Sequence, residues 1–107
     1  MGTRHPRPQP DRLAEKLRHV RTLLGYTLEE MAQALAQVKK SPPTKSHIHR
    51  FEAGVREPSL LVLLEYSRVA GVPLEILVDD GLTLPKHLPD TLDYEWIMKY
   101  VRARKRR

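Results

Sequence analysis

The residues best suited to chemistry cluster in the stretch "QVKKSPPTKSHIHRFEAG", positions 37–54. It carries four basic side chains (Lys39, Lys40, Lys45 and Arg50), a His47-x-His49 triplet, two adjacent prolines and the hydroxyls of Thr44 and Ser46. Three chemistries are open to such a set: metal ligation by the imidazoles, anion binding by the cations, or none, the segment only linking two helices. Spacing tests the first. On a helix, residues two apart point about 200° from each other, so His47 and His49 cannot both ligate one ion. A strand would align them, but both flanks carry helix signals. The chain has no cysteine and no H-E-x-x-H, so no metal and no other cofactor is expected.

The surrounding elements decide how these side chains are presented. Leu13, Leu17, Val20 and Leu24 recur at helical spacing, with Asp11 placed to cap the start and Gly25 to end the helix in a left-handed conformation. Thr27 and Glu30 make a capping box for a second helix with the stripe Met31, Leu35, Val38, and Lys39 and Lys40 suit its negative end. Ser41-Pro42-Pro43 stops it. Thr44 caps a third helix over 45–53, with Ile48 and Phe51 inward and Gly54 ending it. Pro58-Ser59 starts a fourth, "LLVLLEYSRVA", whose Leu60, Leu63, Leu64 and Ser67 are expected inward. Pro73 opens a short fifth, closed by Asp79-Asp80-Gly81.

"LTLPKHLP" reads as an extended connector. Asp90 or Thr91 then caps a sixth helix with the stripe Tyr94, Ile97, Met98, Val101, ending in "RARKRR". The fold class is all-α: a bundle of five short helices, an extended connector and an additional C-terminal helix. The organisation is a disordered basic arm over 1–10, a helical domain over 11–80, and the connector with its basic helix over 81–107.

Two short helices joined by a turn, the second polar and basic on one side, make a helix-turn-helix arrangement. The segments "LRHVRTLLGYTLEEMAQAL" and "TKSHIHRFEAGVREPSLLVLLEYSRVAGVPLEIL" resemble the phage-repressor and Cro-like helix-turn-helix family, the XRE family. The resemblance spans residues 12–78. Its most specific part is I-x-R-[FY]-E-x-G-x-R-x-P-S followed by an apolar helix and G-V-P. It implies a lambda-repressor-like bundle and a sequence-specific, double-stranded-DNA-binding transcriptional regulator, expected as a homodimer, with the third helix in the major groove.

The resemblance places Lys45, Ser46 and Arg50 at base-reading positions. Arg50 suits the bidentate contact to guanine O6 and N7. Thr44 would meet a phosphate at the helix N-terminus, and His49 or His47 is expected to meet DNA. Arg56 would touch the backbone, positioning the domain without reading sequence. Arg21 and Glu52 match a pair that ties the first helix to the end of the third; a phosphate contact by Arg21 is the alternative.

The sequence departs from the family at two places. Leu28 falls where many relatives carry a glutamine that contacts phosphate. The connection between the second and third helices is also longer than usual, with Leu35 and Thr44 nine positions apart. The simpler expectation is a second helix about one turn longer, which would stand Lys39 and Lys40 near the DNA backbone. The competing one is a flexible loop.

Whole-chain properties agree with a polyanionic partner. The 107 residues carry a formal net charge of +6, with a pI near 9.9. No apolar run approaches the roughly 20 residues of a membrane-spanning helix. The N-terminus has no apolar signal region, and Pro6 stands where a myristoylation signal needs Ser or Thr. A cytoplasmic protein with no membrane association is expected. No phosphate-binding glycine loop, nucleophile–base pair or paired acidic site marks an enzyme. The alternative function is an antitoxin-like DNA-binding protein whose C-terminal segment binds a protein partner. Deleting residues 82–107 and asking whether DNA binding or partner capture is lost discriminates the two.

Overall fold

Local end signals and apolar spacing divide the described residues into five helices, connected by turns in which proline and glycine recur. The computed structural model describes residues 10–88. The expected sixth helix, the basic tail and nearly all of the N-terminal arm lie outside the described residues. Helix α1 spans Leu13–Leu24, α2 Leu28–Ala34, α3 Lys45–Glu52, α4 Leu60–Ala70 and α5 Leu74–Val78. Among the described residues there is no strand. The connector that follows α5 carries no regular structure over 82–88, although Leu84 is buried.

The core draws on every helix. Leu13, Leu17 and Val20 of α1 meet Met31 of α2, Ile48 and Phe51 of α3, Val62, Leu63, Tyr66 and Ala70 of α4, and Leu77 of α5. Helix α1 is the central element, packing against α3, α4 and α5, while α2 packs on α3 and α4 on α5. This burial drives the fold; helices of 5 to 12 residues are too short to hold in water by themselves. No described helix is long and apolar enough to cross a membrane.

The helix ends follow the sequence at most positions. Gly25 takes φ 74°, a conformation in which a side chain would be strained. There its amide reaches the Thr22 carbonyl at 3.1 Å, and the Tyr26 amide reaches that of Arg21 at 3.2 Å. Thr27 and Glu30 close their capping box at 3.1 and 2.8 Å. The Ser59 hydroxyl accepts the Val62 amide at 3.2 Å.

At α1 the expectation fails. Asp11 does not cap it: the N-cap residue is Arg12, without a side-chain bond of that kind. The Asp80 carboxylate serves instead, accepting the Asp11 and Arg12 amides at 2.8 and 3.0 Å. The exchange is reciprocal. Lys16 of α1, 1% exposed, donates from Nζ to the carbonyls of Ile76 and Asp79 at 2.7 and 2.8 Å, satisfying the end of α5. Burial and the nearby Arg12 charge lower the Lys16 pKa, opposed by Asp80, Asp79 and Glu15.

Two further expectations are corrected. The second helix is not extended: it ends at Ala34, so Lys39 and Lys40 do not stand on its last turn. The chain tightens into three-residue turns, with the Ala36 amide on the Gln33 carbonyl and the Val38 amide on that of Leu35, both 3.2 Å. A helix reaching Lys40 would run about 9 Å further along its axis, leaving only Ser41, Pro42 and Pro43 to return to α3. The connection is not an open loop either, since Val38 and Pro43 are buried. Ser41 takes a positive φ of 49° directly before Pro42.

The inward face of α4 is also rotated from the expectation. Leu63 and Ser67 are buried and Leu64 is half-buried, but Leu60 is 70% exposed and Val62 and Tyr66 take the core positions. The buried arc runs from Val62 through Tyr66 and Ala70 to Ser67, and Leu60 and Leu64 lie just past its edge.

Candidate nucleic-acid interface

Helix α3 is short, so its ends matter. Thr44 caps it: its hydroxyl accepts the His47 amide at 3.3 Å. In return His47 Nδ1 accepts the Thr44 amide at 3.1 Å, giving a capping box with histidine in the place usual for Glu or Gln. At the other end Gly54, with φ 76°, lets the Val55 amide return to the Arg50 carbonyl at 3.1 Å. Thr44's amide is therefore engaged within the protein and is not offered to an anion. The Lys45 and Ser46 amides, in the helix's first turn, have no carbonyl four residues back within it.

The helix has two sides. Ile48 and Phe51 are buried, while Lys45, Ser46, His49 and Arg50 are all exposed. At 100° per residue those four span about 140° of the surface, opposite the buried pair. His47 falls between the two sides and is half-buried. His47 and His49 stand two apart on a formed helix, so they diverge. Among the described residues no group of three or more His, Cys, Asp or Glu is placed to hold a metal ion.

Beneath the exposed side, Arg21 of α1 grips Glu52 at the end of α3. Nε donates to Oε2 at 2.7 Å and Nη2 to Oε1 at 2.9 Å, and Nη1 donates to the Tyr26 carbonyl at 3.0 Å. One guanidinium thus joins α1, the α1–α2 turn and α3. The bond to Glu52 raises the Arg21 pKa, against the opposing effect of burial. Tyr66 lies fully buried with no hydrogen-bond partner for its hydroxyl. Burial pushes its phenol up, and the Glu52 charge adds to that while Arg21 opposes it.

Other cations near α3 line two hollows. Lys40 and Arg56 line one groove of about 590 Å³ together with His47, Phe51, Leu60 and Leu61. Lys39 is exposed on the same α2–α3 connection but does not line that groove. A smaller cleft of about 330 Å³ lies between α1 and α3, lined by Arg18, Arg21, His49, Glu52 and Ala53. Leu28 is half-buried and packed against the core.

Arg18, an exposed cation lining the same cleft as His49, is a candidate contact that the sequence motifs do not single out. Its only signal was its position three residues before Arg21, on the same helix face. Nor do the motifs single out the bond from His47 to Thr44, which an N3 histidine after a threonine cap could have flagged. What the arrangement can do is present four polar side chains, two of them cationic, from a helix braced at both ends. Comparison with family models, with curated proteins and with solved structures finds no match to this chain.

Proposed function

We propose that this chain is a sequence-specific, double-stranded-DNA-binding transcriptional regulator of the lambda-repressor-like helix-turn-helix type. In this reading α2 and α3 are the DNA-binding pair, and α3 enters the major groove. The observation that carries it is the exposed row Lys45, Ser46, His49 and Arg50 on a helix whose opposite side, Ile48 and Phe51, is buried. A helix about 10–12 Å across fits a groove about 12 Å wide. The net charge of +6 adds the attraction that brings such a helix to DNA.

Roles divide by chemistry. Arg50 reads guanine by a bidentate contact, and Lys45 and Ser46 read neighbouring base edges. His49 extends that surface. Lys39, Lys40 and Arg56 contact phosphates and set register. Arg21 and Glu52 hold the helix in orientation.

Selection of bound duplexes from random DNA, followed by salt titration of the selected site, tests the reading. A recovered consensus, with affinity falling steeply and linearly in log salt, supports it. Equal affinity for every duplex, or a flat salt dependence, overturns it. Sedimentation of the free protein and of its complex tests the homodimer.

A further inference from the structure

His47 lies outside the polar row, half-buried between the two sides of α3. Its Nδ1 accepts the Thr44 amide at 3.1 Å, while its own amide donates to the Thr44 hydroxyl at 3.3 Å. An imidazole nitrogen accepts only when it carries no proton. The bond therefore specifies the neutral ring with its hydrogen on Nε2. We propose that His47 is a positioning residue for α3, closing the helix's first turn when neutral and releasing it when protonated. The proposal rests on the reading of α3 as the DNA-contacting helix for its functional meaning, but its structural part stands on the capping box alone.

Protonation acts twice in the same direction. It removes the acceptor for the Thr44 amide, and it places a positive charge at the positive end of the helix dipole. The charged and titratable groups around the ring come from three elements. Lys40 approaches from the α2–α3 connection, and Arg56 and Glu57 from the α3–α4 connection, all lining the same groove. Lys45 and Arg50 belong to its own helix. The turn that loosens carries Lys45 and Ser46, so the consequence falls on two of the proposed base-reading residues. A glutamine in this place would hold the cap without a proton to release it; histidine makes the brace conditional on the protonation of its ring.

The test compares the full-length chain with His47→Gln, which keeps an acceptor for the cap but does not titrate. The four other histidines are common to both proteins and cancel in the difference. At pH 8 the two melting temperatures should agree closely. At pH 5.5 the parent should melt lower than His47→Gln by roughly 2–8 °C. Nitrogen-15 spectra of the imidazole should show His47 at high pH with its hydrogen on Nε2. Parallel melting curves across the pH range, or a hydrogen on Nδ1, overturn the proposal.

A second arm measures the ratio of affinities for a selected duplex and a scrambled one. The ratio should fall several-fold on acidification in the parent and stay level in His47→Gln. Equal pH dependence of this ratio in both proteins overturns the link to recognition. If neither protein discriminates duplexes at any pH, the DNA reading has failed, and the melting difference still decides the role of His47.

Discussion

The Arg21 guanidinium of α1 and the Glu52 carboxylate at the end of α3, 31 positions apart in the chain, meet through two bonds, 2.7 and 2.9 Å long. The Glu52 side chain is 7% exposed and that of Arg21 21%. Such a fork fixes an angle as well as a distance, because both nitrogens must stay in the carboxylate plane. Its third bond, to Tyr26, extends the same constraint to the turn that leads into α2. The two helices proposed to meet DNA are therefore oriented by one side chain of a third.

Replacing Arg21 by alanine should destabilise the fold by about 3 kcal/mol, since it strands a nearly buried carboxylate. Denaturant unfolding of the single mutant and of an Arg21→Met, Glu52→Met double mutant checks this. The double mutant should lose less than the single one, because no unpaired charge remains. A loss under about 0.5 kcal/mol in Arg21→Ala would reduce the pair to a surface contact.

Arg50→Ala should weaken the selected duplex by about 1–3 kcal/mol and relax preference at one base position. Lys39→Ala should weaken all duplexes alike and reduce the salt slope by about one phosphate contact. Competition binding with mismatched duplexes distinguishes the two. Uniform weakening by Arg50→Ala would remove it from base reading.

Val38→Ala should cost about 2 kcal/mol, although its residue lies in no helix. Val38 is 6% exposed and anchors the α2–α3 connection to the core. Urea unfolding measures the loss. A neutral result would mean that the connection is not held by that side chain.

Asp80→Asn should lower stability at neutral pH and flatten its decline in acid. Two amides, from Arg12 and then Asp11, hold the Asp80 carboxyl below the usual aspartate range. A depressed carboxyl contributes its stability above its unfolded pKa, about 3.9, and loses it as pH falls through the lower folded value. The difference between parent and variant should therefore be constant above about pH 5 and shrink below about pH 4. Melting temperatures across that range check it. A gap that persists to the lowest pH would assign the effect to something other than the charge.

Lys16→Met should cost about 1–3 kcal/mol, because the Ile76 and Asp79 carbonyls lose their donor at the end of α5. Hydrogen exchange of the α5 amides should rise with it. Unchanged protection of α5 would show that the helix holds without this cap.

Much of the helical order was legible in the residues because helix ends are local. The Thr27–Glu30 box, Thr44, Ser59 and Gly25 each act within one turn, through atoms three to five residues away. The polar side of α3 was legible for the same reason: Ile48 and Phe51 are its only two apolar residues before Ala53, so the helix has one phase that buries them. The face of α4 was not, because residues 60–64 are all apolar and several rotations bury equal area.

Other features depended on where distant segments came together. Nothing near Asp80 in the sequence says that it caps a helix starting 67 positions earlier at Leu13; only the docking of α5 beside α1 brings the groups into reach. The same docking buries Lys16, a residue whose type alone reads as surface. Val38 kept its place in the core, but the helix expected to carry it gave way to a tight turn. The return path to Thr44 through two prolines is a constraint of the packed bundle, not of local propensity. Local signals in the residues set which of the five described segments are helical, where most of them start and stop, and which side of α3 is polar. The phase of α4, the course of the α2–α3 connection and the partners of Asp80 and Lys16 come from the packed bundle, because they follow from contacts between residues far apart in the chain.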